Sequence, residues 1–233
     1  MRASHTPTAS VTGQRETGAR SRIVSAIEAT GVVAIIRMKE TARVEAVMEA
    51  LARGGVRTLE ITLTVPGAID AIRSMSKSLP EGVLLGAGTV LDGPTAHEVI
   101  DAGASFVVAP VLNAGTIEAC RERDIPVMPG CFTPTEMLQA WQLGADVIKV
   151  FPATTLGPGY FKDVRAPLPQ LKLMPTGGVT PENAGDWIRA GAVALGIGSA
   201  LVDNQAVASG DYGRIEHAAR LAIANVRAAR AAR

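Results

Sequence analysis

A lysine stands in the middle of an otherwise apolar run, in the stretch ADVIKVFPA from Ala145 to Ala153. Gly144 precedes the run and Pro152 closes it, a pattern that predicts a buried strand. Burial removes water from the ammonium form of a lysine, so its pKa falls and the neutral amine becomes available. A neutral amine attacks carbonyl carbons and forms Schiff bases. Lys149 is therefore the candidate nucleophile of a site that handles oxo compounds.

A glutamate occupies a comparable position in the stretch TLEITLT. Side chains alternate along a strand, so Leu59, Ile61 and Leu63 share one face and Glu60 lies on the other. A carboxylate near Lys149 would move protons on and off a carbinolamine and a substrate hydroxyl. A buried ion pair without a catalytic role is the competing interpretation, but such pairs contribute little net stability. We therefore favour Glu60 as the general acid and base.

Two threonines, Thr89 and Thr176, have the same inward parity on two further predicted strands. Together with Glu60 and Lys149 they would converge on one interior from four separate strands. Several of these residues lie near the carboxyl ends of their strands, where barrel enzymes place their chemistry. For the threonines alone, a hydroxyl bonded to the backbone explains the pattern equally well.

Short apolar runs alternate with amphipathic stretches from Ile23 onward, which predicts a parallel sheet. The amphipathic stretches repeatedly end in the signals RGGV, AGAS, LGAD and AGAV, which are typical of glycine at a left-handed helix C-cap. A short helix over Ser21–Thr30 comes first. Eight strand–helix units favour an α/β fold of the (β/α)8 TIM-barrel type over a doubly wound sheet. The predicted strands are Val32–Arg37, Thr58–Thr64, Leu84–Val90, Phe106–Val111, Pro126–Phe132, Asp146–Phe151, Lys172–Gly177 and Val193–Ser199.

The composition of the 233-residue chain, 47% apolar with a net charge of +1, fits one domain with a full core. Residues 1–20 are predicted to be a disordered tail, although they weakly resemble a transit peptide, and residues 21–233 to form the barrel. The balanced charge predicts no nucleic-acid partner, and no apolar run is long enough to predict a membrane span. Two cysteines are too few for a disulfide scaffold and favour a cytoplasmic location.

Glycine-rich segments follow the seventh and eighth predicted strands, in PTGGVTPEN and GIGSALV. These loops are the usual phosphate site of a barrel, built from backbone N–H groups. Gly177, Gly178, Gly198 and Ser199 are therefore predicted to form a phosphate cradle. Glycines needed only for tight turns are the alternative explanation.

None of the three histidines, His5, His97 and His217, lies at a predicted strand end. A cluster of histidine and carboxylate ligands at the site is therefore not expected. We predict chemistry that needs neither a metal ion nor an organic cofactor.

The sequence resembles the 2-keto-3-deoxy-6-phosphogluconate aldolase / 4-hydroxy-2-oxoglutarate aldolase family from about Ile23 to the last helix. The resemblance rests on GGVRTLEITLT, GAGTV, VAPVLN, MPGCFTPTE, IKVFPA, LMPTGGV and GIGSALV, which occur in this order. It implies a class I aldolase on a (β/α)8 barrel, usually a homotrimer. The partners that it implies are a 2-oxo sugar acid, pyruvate and an aldehyde.

The resemblance also implies a role for individual residues. Lys149 of K-x-F-P forms the Schiff base and Glu60 of L-E-[VI]-T carries the proton. The remaining contacts that it implies are Thr89 at the pyruvyl carboxylate, Pro110 and Phe151 along the pocket wall, Thr176 on the substrate, and Gly177, Gly178 and Ser199 at the phosphate.

One position departs from the family pattern. Well-known members carry an arginine four residues after the glutamate, where it clamps the carboxylate, and here that position is Thr64. A threonine does not replace a bidentate arginine contact. Either Thr64, Thr89 and backbone donors suffice, or Arg37 at the end of the first strand supplies the charge.

The favoured reaction is cleavage of 2-dehydro-3-deoxy-6-phosphogluconate to pyruvate and glyceraldehyde 3-phosphate. The galactonate epimer and 4-hydroxy-2-oxoglutarate are alternative substrates. Two other classes of protein remain open: a phosphosugar isomerase, which would use Glu60 without Lys149, and a non-catalytic barrel that binds phosphosugars.

Overall fold

Parallel strands and helices alternate through residues 18–39 and 41–232, the part of the chain that the computed structural model describes. The predicted tail lies outside the described residues as far as residue 17. The first helix begins at Ala19, so the last two residues assigned to the tail are helical. The α-helices are α1 Ala19–Thr30, α2 Val44–Arg53, α3 Ala68–Met75, α4 Gly93–Asp101, α5 Ala114–Glu122, α6 Pro134–Leu143, α7 Gly157–Arg165, α8 Ala184–Arg189, α9 Asn204–Ser209 and α10 Tyr212–Ala231.

Each of the eight predicted strands contains strand structure, although the observed strands are shorter. The fifth is divided at Pro129, which has no backbone N–H to offer a ladder. The strands are β1 Val32–Ile36, β2 Thr58–Thr62, β3 Leu84–Gly88, β4 Val107–Val108, β5 Val127–Met128, β6 Gly130–Cys131, β7 Ile148–Val150, β8 Leu173–Pro175 and β9 Leu195–Ile197.

The strands form two parallel sheets, in the orders β5-β4-β3-β2-β1-β9 and β6-β7-β8. Within the first sheet, Ile35 pairs with Glu60 and Glu60 with Gly86. Parallel sheets are covered by helices on their outer face, and every residue of β1 and β2 is buried. These observations confirm the α/β class and the parallel arrangement of the strands.

A small apolar cluster fills the interior beneath the predicted site. Val147 and Met174 belong to it, and each lies two residues before a polar site residue on the same strand face, Lys149 or Thr176. Ile27 of α1 packs into the same cluster, so the first helix covers the amino ends of the strands. The other buried members are Val33, Phe106, Val108, Met128 and Ala194.

The four helix C-terminal signals predicted from the sequence are also present. Each of the four predicted helix C-terminal signals contains one glycine with a left-handed backbone: Gly55, Gly103, Gly144 and Gly191. The capping box before α6 is formed, with Thr133 and Glu136 satisfying each other's backbone N–H groups. None of the helices in the described ranges has the length and apolar character needed to cross a membrane.

Candidate active site

Lys149 and Glu60 are the only buried residues with a formal charge in the described part of the chain, with exposed fractions of 5% and 1%. Lys149 is the central residue of β7 and Glu60 the central residue of β2. The ammonium nitrogen of Lys149 lies 5.1 Å from the centroid of the Phe151 ring. Strand alternation places both side chains on the interior face, as the sequence predicted.

Burial shifts the pKa of both groups toward their neutral forms. It lowers the pKa of Lys149, which the positive charge of Arg37 lowers further and the carboxylate of Glu60 raises. Burial raises the pKa of Glu60, which the charges of Lys149 and Arg37 lower. The neutral amine is thereby more available as a nucleophile, and the carboxyl group holds its proton more tightly.

Four buried side-chain oxygen atoms have no hydrogen-bond partner among the described residues. They are both carboxyl oxygens of Glu60 and the hydroxyl oxygens of Thr58 and Thr176. Buried polar atoms left unpaired cost free energy, so they are uncommon outside functional sites. The arrangement favours an interior that receives polar groups of a ligand.

A cavity of about 550 Å³ opens where β1, β8 and β9 end, within the usual size of small-molecule sites. Seven of the predicted site residues line it. They are Arg37, Phe151, Thr176, Gly177, Gly178, Gly198 and Ser199.

The predicted phosphate cradle is a glycine turn on one wall of this cavity. Gly177 and Gly178 have φ angles of 90° and 73°, which a residue with a Cβ rarely adopts. An atom added as Cβ at Gly198 would meet nothing within 4 Å, so the backbone there borders open space. Backbone groups in such segments can approach an anionic ligand closely.

Five predicted site residues are absent from the lining of this cavity: the buried pair Lys149 and Glu60, and also Thr64, Thr89 and Pro110. Thr64 is exposed, and its hydroxyl shares a hydrogen bond of 2.8 Å with Thr62. Thr89 is half-buried with a φ of 64°, a strained backbone for a β-branched residue. Pro110 lines a second cavity of about 420 Å³. Phe151 borders both cavities, so it separates them.

Lys39 and Asn204 also line the main cavity, and the sequence analysis missed both. Lys39 follows Arg37 at the two-residue spacing of a strand face, a signal that was available in the sequence. Asn204 begins α9, two residues after GIGSALV, and carried no comparable signal.

Residues 23–218 match the family model described as KDPG and KHG aldolase. A KHG/KDPG aldolase of Escherichia coli strain K12 is 38% identical over 193 residues, which cover 82% of this chain and 90% of that protein. The family model and this relative therefore each match most of the chain.

Two solved structures are similar to this chain in both fold and sequence. A KDPG aldolase from Legionella pneumophila, with pyruvate captured at low pH as a covalent carbinolamine, has a TM-score of 0.78, 29% identity, and coverage of 88% of this chain and 97% of that one. A cube-shaped protein cage designed by fusing symmetric oligomeric domains has a TM-score of 0.80, 31% identity, and coverage of 87% and 74%.

Replacing Arg37 with glutamine should raise the pKa of Lys149, because the positive charge that lowers it is removed. A higher pKa keeps the amine protonated to higher pH. The midpoint for reductive methylation of Lys149 by formaldehyde, followed by peptide mass spectrometry, should therefore move to higher pH. Formaldehyde is neutral, so lost anion binding does not affect the result.

Lys39→Gln is the matched control. It removes a cation from the same cavity, but Lys39 is not among the charges that shift the pKa of Lys149. Its midpoint should equal that of the parent protein. A midpoint that stays or falls in Arg37→Gln would contradict the assigned role of Arg37.

Proposed function

The chain belongs to the KDPG and KHG aldolase family, whose members are carbon–carbon lyases, and from this premise we propose that it cleaves 2-dehydro-3-deoxy-6-phosphogluconate through a Schiff base. The products are pyruvate and glyceraldehyde 3-phosphate. The observation that carries the proposal is the burial of Lys149 and Glu60 on two interior strands, where the charge of each residue affects the pKa of the other. A phosphosugar isomerase or a binding barrel has no use for such a lysine.

The reaction begins when the neutral amine of Lys149 attacks the C2 carbonyl and forms a carbinolamine. Glu60 transfers the protons that allow water to leave, which gives an iminium ion. Glu60 then takes the proton of the C4 hydroxyl, the C3–C4 bond breaks, and its electron pair enters the iminium to form an enamine. The aldehyde departs, the enamine is protonated at C3, and water releases pyruvate and the free amine.

We assign the carboxylate of the substrate to Arg37, with Thr89 beside it. Arg37 lines the cavity, and its charge reaches both Lys149 and Glu60. Thr64 is a weaker candidate because its hydroxyl is already bonded to Thr62. Pro110 and Phe151 form the apolar wall next to the reacting carbons.

The far end of the substrate is assigned to the glycine cradle. Its four residues, Gly177, Gly178, Gly198 and Ser199, share one cavity with Thr176. The unpaired hydroxyl of Thr176 would bond a substrate hydroxyl. A phosphate fits this cradle because exposed backbone at left-handed glycines binds anions.

We further propose that residues from 21 onward form one domain in which the strands close into a complete eight-stranded barrel, with β5 and β6 as one broken strand. The Val193 N–H donates to the carbonyl of Leu173 at 3.0 Å, which links β8 toward β9. The Lys149 N–H donates to the carbonyl of Pro129 at 3.0 Å, which links β7 to the break.

We also propose a cytoplasmic location, in which Cys120 and Cys131 are buried thiols. Burial raises the pKa of each thiol to about 12.

Lys149→Met should abolish borohydride-trapped pyruvate on the protein, because methionine fills the same volume without a nucleophile. Glu60→Gln should still trap pyruvate on Lys149 but slow cleavage by about two to four orders of magnitude, as expected for lost general acid–base catalysis. Peptide mass spectrometry locates the adduct, and coupled pyruvate release measures turnover.

An adduct on another lysine, or full cleavage by Lys149→Met, would exclude the proposed nucleophile. Turnover of Glu60→Gln within tenfold of the parent would mean that another group carries the proton.

Ser199→Asp should weaken the binding of a phosphorylated substrate, because the new carboxylate repels the phosphate. We expect KM for 2-dehydro-3-deoxy-6-phosphogluconate to rise at least about tenfold, while exchange of the C3 protons of pyruvate stays within threefold. Ser199→Ala separates loss of the hydroxyl from charge repulsion. An unchanged KM, or a higher kcat/KM for the galactonate epimer or for 4-hydroxy-2-oxoglutarate in the parent protein, would overturn the substrate choice.

A homotrimer is expected, with a mass three times 24.1 kDa by light scattering. The cage built from symmetric oligomeric domains supports self-assembly of this fold. Three large hydrophobic side chains are exposed in the described residues: Leu91, Val111 and Phe132. They follow β3, β4 and β6, respectively, at one end of the molecule, so we assign the subunit contact there.

The double variant Leu91→Glu/Val111→Glu should give monomers, whereas Lys162→Glu on α7 should not. A trimeric double variant would contradict this contact.

A further inference from the structure

A glycine of β3 lies directly against the side chain of Glu60. An atom added as Cβ at Gly88 would overlap the Oε1 atom of Glu60 and lie 2.5 Å from Cδ and 2.7 Å from Cγ. Contacts under 3.0 Å are essentially never made by real Cβ atoms, so Glu60 would have to move. The φ of Gly88 is not left-handed, so glycine is needed there for space and not for backbone conformation.

The strand register explains why Gly88 has this neighbour. Glu60 pairs with Gly86, and Thr62 pairs with Gly88. The Glu60 side chain therefore leans two residues along its strand, toward the carboxyl end, and lies across Gly88. Side chains in strands commonly lean along the strand in this manner.

No hydrogen bond from a described residue fixes the Glu60 carboxyl group, because both of its oxygens are unpaired. Its position must then be set by the shape of the space around it and by the charges of Lys149 and Arg37. The space that a Cβ of residue 88 would fill is the space that the carboxyl group occupies. Catalytic proton transfer needs the carboxyl group within hydrogen-bond reach of the reacting atoms.

We propose that Gly88 is a positioning residue for Glu60, whose missing side chain creates the pocket that holds the carboxyl group at the reaction centre. The proposal rests on the proposed function in one respect, that Glu60 is the general acid and base. The steric part of the proposal, that Gly88 acts through Glu60, is testable without it.

The first experiment measures the thermal stability of Gly88→Ala in three backgrounds: the parent protein, Glu60→Gln and Glu60→Ala. Overpacking should lower Tm by roughly 5 °C in the parent and in the isosteric Glu60→Gln. In Glu60→Ala the atoms that clash are gone, so the loss should disappear. An equal loss in all three backgrounds would overturn the proposal. If Gly88→Ala does not fold, folding of Gly88→Ala/Glu60→Ala supports the proposal, and failure of this double variant overturns it.

The second experiment follows exchange of the C3 protons of pyruvate with D2O by NMR, which reports proton transfer on the enamine. Gly88→Ala should slow exchange about a hundredfold, the cost of a displacement near 1 Å. The yield of pyruvate trapped on Lys149 after long incubation should be unchanged. Exchange within threefold of the parent would contradict the positioning role.

Two glycines provide matched controls. Gly86 lies two residues earlier on β3, but an added Cβ there would meet the Phe106 ring, with Cδ2 and Cζ at 2.5 Å, and not Glu60. Gly86→Ala should lose stability yet exchange protons within threefold of the parent at a temperature where it is folded. Gly159→Ala lies within α7 and would meet nothing within 4 Å, so it should leave proton exchange unchanged and should not lower Tm, since alanine is the better helix former. Normal exchange by Glu60→Gln would refute the proposed function, whereas the stability comparison would still decide the steric role of Gly88.

Discussion

The burial of one amine and one carboxyl group in the same interior is the constraint on which the rest of this structure depends. Removing water from Lys149 and Glu60 costs several kcal/mol for each ion, and their attraction offsets only part of that cost. The pKa shifts toward the neutral forms are the same desolvation cost seen through protonation. The burial on which the proposed nucleophilic role of Lys149 depends is therefore one that destabilises the fold.

The surrounding fold tolerates this cost because apolar side chains make up most of the buried interior. Val147 and Met174 fill the inward positions directly below the polar layer, and Ile27 of α1 closes the cluster from the amino ends of the strands. Glycines remove side chains where the polar layer needs volume: Gly88 beside Glu60, and Gly196, where an added Cβ would overlap the hydroxyl of Thr176. Thr176 also lines the main cavity, whereas Val147 and Met174 before the polar residues belong to the apolar cluster.

Periodicity in the sequence was sufficient to predict that Lys149 and Glu60 are buried on the interior face, but not to place every residue around them. Strand alternation sets which face a side chain occupies, so Glu60, Lys149 and Thr176 were found from parity alone. Parity does not say how far along the interior a side chain lies. The sequence therefore could not show that Pro110 lines the second cavity and not the main one. Gly88 was missed because a strand glycine is informative only once its cross-strand neighbour is known. The break at Pro129 depends on hydrogen bonding between strands, which a local apolar pattern does not contain.

The register of the first two strands supports our proposal that Arg37 serves in place of the family arginine at position 64. Ile35 pairs with Glu60 and Ile36 with Ile61, so Arg37 follows β1 at the height of the end of β2. A long side chain from β1 can therefore bring a cation to the region that an arginine at position 64 would serve. From β1 the charge also reaches Lys149 and lowers its pKa. Anion binding and activation of the amine would then depend on one residue, which explains how Thr64 is tolerated beside an unchanged lysine and glutamate.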